Sequence, residues 1–168
     1  FGITGDLAYR KIFPALQNLV QRGRLDVPVI GVARDGDLDA LRERLRRSLE
    51  ASGEFDAAAY EKLAANLRVV AGDYTDPATF ARLREALGSA SRPLHYLAIP
   101  PSLFPTVVTS LARAGCADGA RVIVEKPLGR DLASAQRLQK TLAEAFDEAA
   151  IFRIDHYLGK EAVQNLVY

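Results

Sequence analysis

Gly2-Ile3-Thr4-Gly5-Asp6-Leu7-Ala8 stands at the head of the chain, and Ile12, Leu16, Leu19 and Val20 follow it at helical spacing. Two glycines running directly into an amphipathic helix describe a tight strand-to-helix turn. Such a turn presents free backbone N–H groups and the positive end of a helix dipole, which suits a pyrophosphate. The spacing Gly-x-x-Gly-x-x-Ala differs from the commoner G-x-G-x-x-G, so a plain glycine-rich turn capped by Asp6 is the bland alternative. An acid close to phosphate is unfavourable, and Asp6 is therefore expected to cap backbone amides. The helix is expected over 6–21, stopped by Gly23, with Pro14 unfavourable within it unless the helix kinks there.

Outward from this turn, apolar runs alternate with amphipathic stretches. Segments 28–34 (PVIGVAR), 67–71, 93–99, 121–125 (RVIVE) and 150–154 read as buried strands. Helices are expected over 37–52, where Leu38, Leu41, Leu45 and Leu49 form one stripe, over 56–65, and over 75–87, with Asp76-Pro77 at the start. Another runs from Pro100-Pro101 to Ala114, closed by Gly115. The next covers 131–148, with Leu132, Leu138, Leu142 and Phe146 apolar, and a new helix begins near Lys160. Counting a truncated strand ahead of the first turn, about six strands alternate with crossover helices. Right-handed crossovers then give an α/β, Rossmann-like, doubly wound and mostly parallel sheet. Ligands belong at the C-terminal ends of its strands, and each motif below falls at such an end.

The 168 residues suffice for one domain with a core, and a net charge of +1 provides no field to attract nucleic acid or an anionic membrane. No basic stripe is interleaved with aromatics, and no stretch reaches the roughly 18 apolar residues of a membrane span. The single cysteine, Cys116, excludes an internal disulfide and favours a reducing, cytoplasmic setting. No His, Cys or Asp cluster has metal-ligand spacing. The chain starts at Phe1, holds no Met and stops within an apparent helix, so truncation at both ends is expected.

Arg34 closes the second strand, where NAD-binding folds usually carry an acid for the ribose 2′-hydroxyl; an Arg there suits a 2′-phosphate and favours NADP. Asp35 beside it can still accept from a ribose hydroxyl, so NAD use stays open. Gly72-Asp73-Tyr74 ends the third strand, either lining the adenine side or forming a turn capped at Thr75 or Asp76. Ala98-Ile99-Pro100-Pro101 gives a rigid exit from the fourth strand, able to shape the nicotinamide side. Glu125-Lys126-Pro127 ends the fifth; Lys126 can reach coenzyme and substrate, and Pro127 imposes extended or cis geometry. Asp155-His156-Tyr157 with Lys160 is the densest polar cluster: His156, Tyr157 and Lys160 can donate to phosphate or sugar oxygens, and Asp155 can orient a catalytic histidine. His95 reads as a packed histidine and Cys116 as an inert thiol.

Taken in order, GITGDLAYRK, EKPLGRD and RIDHYLGKE resemble the signature segments of the glucose-6-phosphate dehydrogenase family, over nearly the whole chain. The resemblance implies hydride transfer from C1 of glucose 6-phosphate to C4 of NADP, giving the phosphogluconolactone and NADPH, the entry step of the pentose phosphate pathway. It implies that Gly2, Thr4, Gly5, Asp6 and Leu7 form the coenzyme loop, that Arg34 grips the 2′-phosphate, and that Asp73 and Tyr74 lie near the coenzyme. Lys11 becomes a basic residue near the substrate, and Lys126 a lysine between coenzyme and sugar with Pro127 its hinge-like neighbour. His156, Tyr157 and Lys160 become the grip on the substrate phosphate, and Asp155 the acid paired with the catalytic histidine.

The family's general base is a histidine in a later, second domain that also makes the dimer interface, and neither His95 nor His156 matches it. The implied organisation is a coenzyme domain over 1–154 and the beginning of a substrate-binding and dimerisation domain over 155–168, in a dimeric or tetrameric parent. Without the base, a contribution of about 10²–10⁴-fold is missing, so the 168 residues alone are expected to be inactive. Two alternatives remain: another NAD(P)-dependent sugar dehydrogenase with an EKP motif, and a dinucleotide-binding module without turnover.

Overall fold

The computed structural model describes residues 1–155, which form an α/β structure of five parallel strands in two sheets. The chain divides into two compact units, Phe1–Gly88 and Ser89–Tyr168. The expectation for a helix near Lys160 lies outside the described residues.

In the first unit the helix after the glycine turn starts at Asp6 and runs to Gln21, but not as one regular helix. Ala8–Ile12 is a π-helical turn, and α1 proper is Phe13–Gln21. Phe13 N–H bonds to Ala8 O, five residues back. Pro14 explains the departure, since it has no N–H and its ring crowds the preceding turn of a regular helix. In this wider register the Tyr9 carbonyl is the one Pro14 cannot serve, and the buried Ser48 hydroxyl donates to it instead. The kink expected at Pro14 is thus a π turn with a substitute donor.

β1 (Val29–Ala33) and β2 (Leu67–Ala71) pair in parallel, Val29 opposite Leu67 and Ala33 opposite Ala71. Between them lie α2 (Leu38–Ser52), capped by Asp37, and α3 (Ala57–Asn66), capped by Asp56. The α2 stripe is buried at Leu41, Leu45 and Leu49, which join Phe13, Val20, Leu63 and Leu67 in one core. Gln17 is buried among them because both ends of its amide are satisfied, donating to Glu54 O at 2.6 Å and accepting from Asp56 N–H at 3.1 Å. α4 is Pro77–Leu87, starting two residues later than expected. Its cap is Asp76, while Thr75 is engaged in the preceding turn with Asp73.

In the second unit β3 (Leu94–Tyr96), β4 (Arg121–Glu125) and β5 (Ile151–Ile154) form a parallel sheet in that order. β3 is shorter than the expected 93–99, although Leu97 N–H still bonds to Ile123 O at 3.0 Å. A 3₁₀ turn at Pro101–Leu103 leads into α5 (Phe104–Arg113). α6 (Leu132–Ala145) begins with a capping box between Asp131 and Ser134 and ends three residues short of expectation. Phe146 continues the 138, 142 spacing but buries its ring from an extended conformation, and a 3₁₀ turn at Glu148–Ala150 follows.

Among the described residues the parallel strands number five, in two sheets, where about six in one sheet were expected. In a doubly wound order the strand before the glycine turn is the central one. Ahead of the turn, Gly2 N–H makes one ladder-like bond, to Val32 O at 3.0 Å.

Candidate functional site

The first constellation lies at the C-terminal ends of β1 and β2. Gly2 has φ +75°, which disfavours any side chain. A Cβ on Gly5 would lie 3.1 Å from Gly2 O, so the turn is a cradle that only small residues leave open. Gly5 N–H donates to Gly2 O at 2.9 Å, and Tyr9 N–H to Gly5 O at 3.1 Å. Thr4, Asp6 and Lys11 are exposed around it and Leu7 is half-buried. Asp6 does not act as the expected cap: its carboxylate bonds no amide among the described residues, because the helix begins at Asp6 itself and its amides point back into the turn.

Two long-range contacts support the loop, one from Tyr74, which the sequence placed near the coenzyme, and one from Arg44, which it did not single out. The Tyr74 hydroxyl accepts from Gly2 N–H at 2.9 Å and donates to Val32 O at 3.1 Å, tying the end of β2 to the loop and to β1. Burial pushes its phenol above the ordinary range. Arg44 of α2 reaches Gly5 O at 3.3 Å with its guanidinium over the Tyr9 ring, 4.9 Å from the centroid. Only the long-range fold brings these groups to the glycines.

Arg34 extends from the end of β1 with its side chain 82% exposed. Its Nη2 lies 3.7 Å from Asp73 Oδ2. Asp73 Oδ1 accepts from Thr75 N–H at 2.8 Å and from Thr75 Oγ1 at 2.6 Å. These two bonds, with a smaller contribution from Arg34, hold its carboxyl below the usual carboxylate range. The glycine cradle, the helix N-terminus and the exposed guanidinium at the neighbouring strand end together fit the pyrophosphate and adenosine end of a dinucleotide.

The second constellation lies in the second unit, at the ends of β4 and β5. Lys126 Nζ sits 2.5 Å from Asp155 Oδ2, with Lys126 64% exposed and Asp155 23%. Lys126 is thus one partner of Asp155 among the described residues. The Lys126–Pro127 peptide is cis. Tyr96 donates to Glu125, and burial followed by that carboxylate pushes its phenol far up. Pro100 caps the 3₁₀ turn that leads into α5. His156, Tyr157 and Lys160 lie outside the described residues.

His95 is buried, with a ring nitrogen 2.7 Å from Cys116 O, and Cys116 is buried beside it. Among the described residues no group of three His, Cys, Asp or Glu can hold a metal ion, and no helix is long and apolar enough to cross a membrane.

The family model described as glucose-6-phosphate dehydrogenase, NAD binding domain, matches residues 1–165. Glucose-6-phosphate 1-dehydrogenase 1 of Mycobacterium tuberculosis is 44% identical over 169 residues, covering 100% of this chain and 36% of its own. The Arabidopsis thaliana protein named glucose-6-phosphate 1-dehydrogenase 6, cytoplasmic, is 40% identical over 187 residues, covering 99% of this chain and 36% of its own. The crystal structure of the Mycobacterium avium enzyme superposes with a TM-score of 0.90 at 44% identity, over 99% of this chain and 40% of that one. A glucose-6-phosphate dehydrogenase in complex with its substrate glucose-6-phosphate gives 0.83 at 40% identity, over 99% of this chain and 37% of that one. The chain thus spans 36% of the length of these curated relatives.

Proposed function

The chain belongs to the glucose-6-phosphate dehydrogenase family, matching its NAD binding domain, and we propose that the protein carrying it oxidises glucose 6-phosphate at C1 with NADP. The products are 6-phosphogluconolactone and NADPH, and the setting is cytoplasmic. Residues 1–154 are the coenzyme domain, of Rossmann-like doubly wound type, and 155 onward begins the substrate-binding and dimerisation domain of a homo-oligomer.

The bound coenzyme supplies the hydride acceptor, C4 of its nicotinamide. The loop formed by Gly2, Thr4, Gly5, Asp6 and Leu7 receives the pyrophosphate at the helix N-terminus. Arg34 takes the 2′-phosphate, and Asp73 and Tyr74 border the adenosine end. Pro100 shapes the nicotinamide side. Lys126 stands between coenzyme and sugar, with Lys11 a further cation toward the substrate. His156, Tyr157 and Lys160 grip the 6-phosphate, and Asp155 pairs with the histidine that takes the C1 hydroxyl proton. His95 is buried against Cys116 O, and neither it nor His156 matches the family's base, which belongs to the second domain.

The observation that carries the NADP reading is Arg34, a guanidinium at the end of β1 with most of its side chain exposed. Equilibrium titration of the gene product and its Arg34→Ala variant tests it. NADP is expected to weaken at least tenfold while NAD changes little, as for the loss of a charge-assisted contact of about 1.5–3 kcal/mol. Equal weakening of both coenzymes contradicts the assignment.

A further inference from the structure

Parallel pairing in register up to Ala33 opposite Ala71 makes Arg34 and Asp73 leave neighbouring strands at the same end. Their side chains meet at 3.7 Å. Asp73 is not a loose surface acid. One carboxylate oxygen is taken by the Thr75 amide at 2.8 Å and the Thr75 hydroxyl at 2.6 Å, so the other is turned to the guanidinium. The backbone that carries it is fixed on both sides: Gly72 N–H bonds to Ala33 O at 2.9 Å, and Tyr74 is tied to Gly2 and Val32. The carboxylate is therefore ionised at neutral pH and held in place.

We infer that Asp73 is a coenzyme-discriminating residue that opposes the 2′-phosphate at Arg34, lowering the preference for NADP and making room for NAD. The inference rests on the reading of Arg34 as the 2′-phosphate grip. A phosphate arriving at Arg34 must draw the guanidinium from its carboxylate partner. It then sits within a few ångströms of a negative charge that the Thr75 bonds keep from swinging away. In water, two like charges about 4 Å apart disfavour each other by roughly fivefold in a binding constant per unit charge. A ribose 2′-hydroxyl carries no charge, and it can donate to the same carboxylate. Asp73 therefore penalises one coenzyme and accepts the other.

The test is equilibrium binding of 2′,5′-ADP and 5′-AMP to the gene product, which isolates the adenosine end from turnover. Asp73→Asn keeps the acceptor for the Thr75 amide and removes the charge. It is expected to tighten 2′,5′-ADP by roughly three- to tenfold at low ionic strength, less in high salt, and not to tighten 5′-AMP. Thr75→Val keeps the charge but loosens it, and is expected to shift the ratio the same way by a smaller factor. An unchanged or lowered ratio in Asp73→Asn, or equal weakening of both ligands, overturns the inference. Arg34→Ala separates the two levels. If it discriminates between the ligands while Asp73→Asn does not, only the role of Asp73 falls. If it weakens both alike, the reading of Arg34 falls as well.

Discussion

The Tyr74 hydroxyl joins three segments that sequence alone keeps far apart: the loop at Gly2, the end of β1 at Val32 and the end of β2. Tyr74→Phe removes both bonds while keeping the ring. We expect a loss of about 1–2 kcal/mol in denaturant unfolding. We also expect a similar weakening of NADP and NAD, because the residue steadies the glycine loop proposed for the pyrophosphate and lies outside the proposed 2′ grip of Arg34. Wild-type coenzyme affinity in this variant would contradict that role. At this scale the sequence was partly legible. Gly2, Gly5 and Arg34 stood out because φ +75°, close packing and a guanidinium at a strand end each require particular residue types. Tyr74 was singled out only as a neighbour of the coenzyme and Arg44 not at all, since an aromatic in a turn and an arginine on a helix have no spacing that announces their long-range partners.

Among the elements, the π turn at Ala8–Ile12 is the clearest case of local chemistry resolved by a distant residue. The sequence exposed the conflict, a proline inside an amphipathic helix, but not its resolution, because Ser48 lies on another helix. Ser48→Ala leaves the Tyr9 carbonyl without its hydroxyl donor in a buried site. Urea unfolding of the variant is expected to show a loss of about 1–3 kcal/mol, and an unchanged midpoint would contradict the account. Periodicity identified the buried face of α2 well, because Leu41, Leu45 and Leu49 face one core. It overran α6, because Phe146 keeps the apolar spacing while its backbone has already become extended. Spacing reports which side chains are buried, and it cannot distinguish a helix that continues from a chain that turns and buries the next ring.

For the whole molecule, alternating apolar and amphipathic stretches were sufficient to read a parallel α/β structure, since each pairing is between strands joined by a crossover. They were not sufficient to give the division of the described strands into two sheets, because periodicity marks a strand without saying which strands pair. His95 links the second unit to pH. Burial holds its imidazole below the ordinary 6.5, against a smaller opposing effect of the Cys116 carbonyl. The unfolded chain takes up a proton near 6.5 while the folded chain resists it. Stability is therefore level above that pH, falls as pH drops through it, and levels again below the folded value. Unfolding midpoints between about pH 8 and pH 5 should show this acid limb, and His95→Gln should flatten it. An unaltered limb in that variant would assign the effect elsewhere.

The measurement closest to the central claim is coenzyme reduction by the purified gene product, with glucose 6-phosphate and unphosphorylated glucose compared in parallel. The account predicts NADPH formation that depends on the 6-phosphate, with glucose far slower. Equal rates with glucose, or no reduction by folded protein that binds NADP, would contradict it.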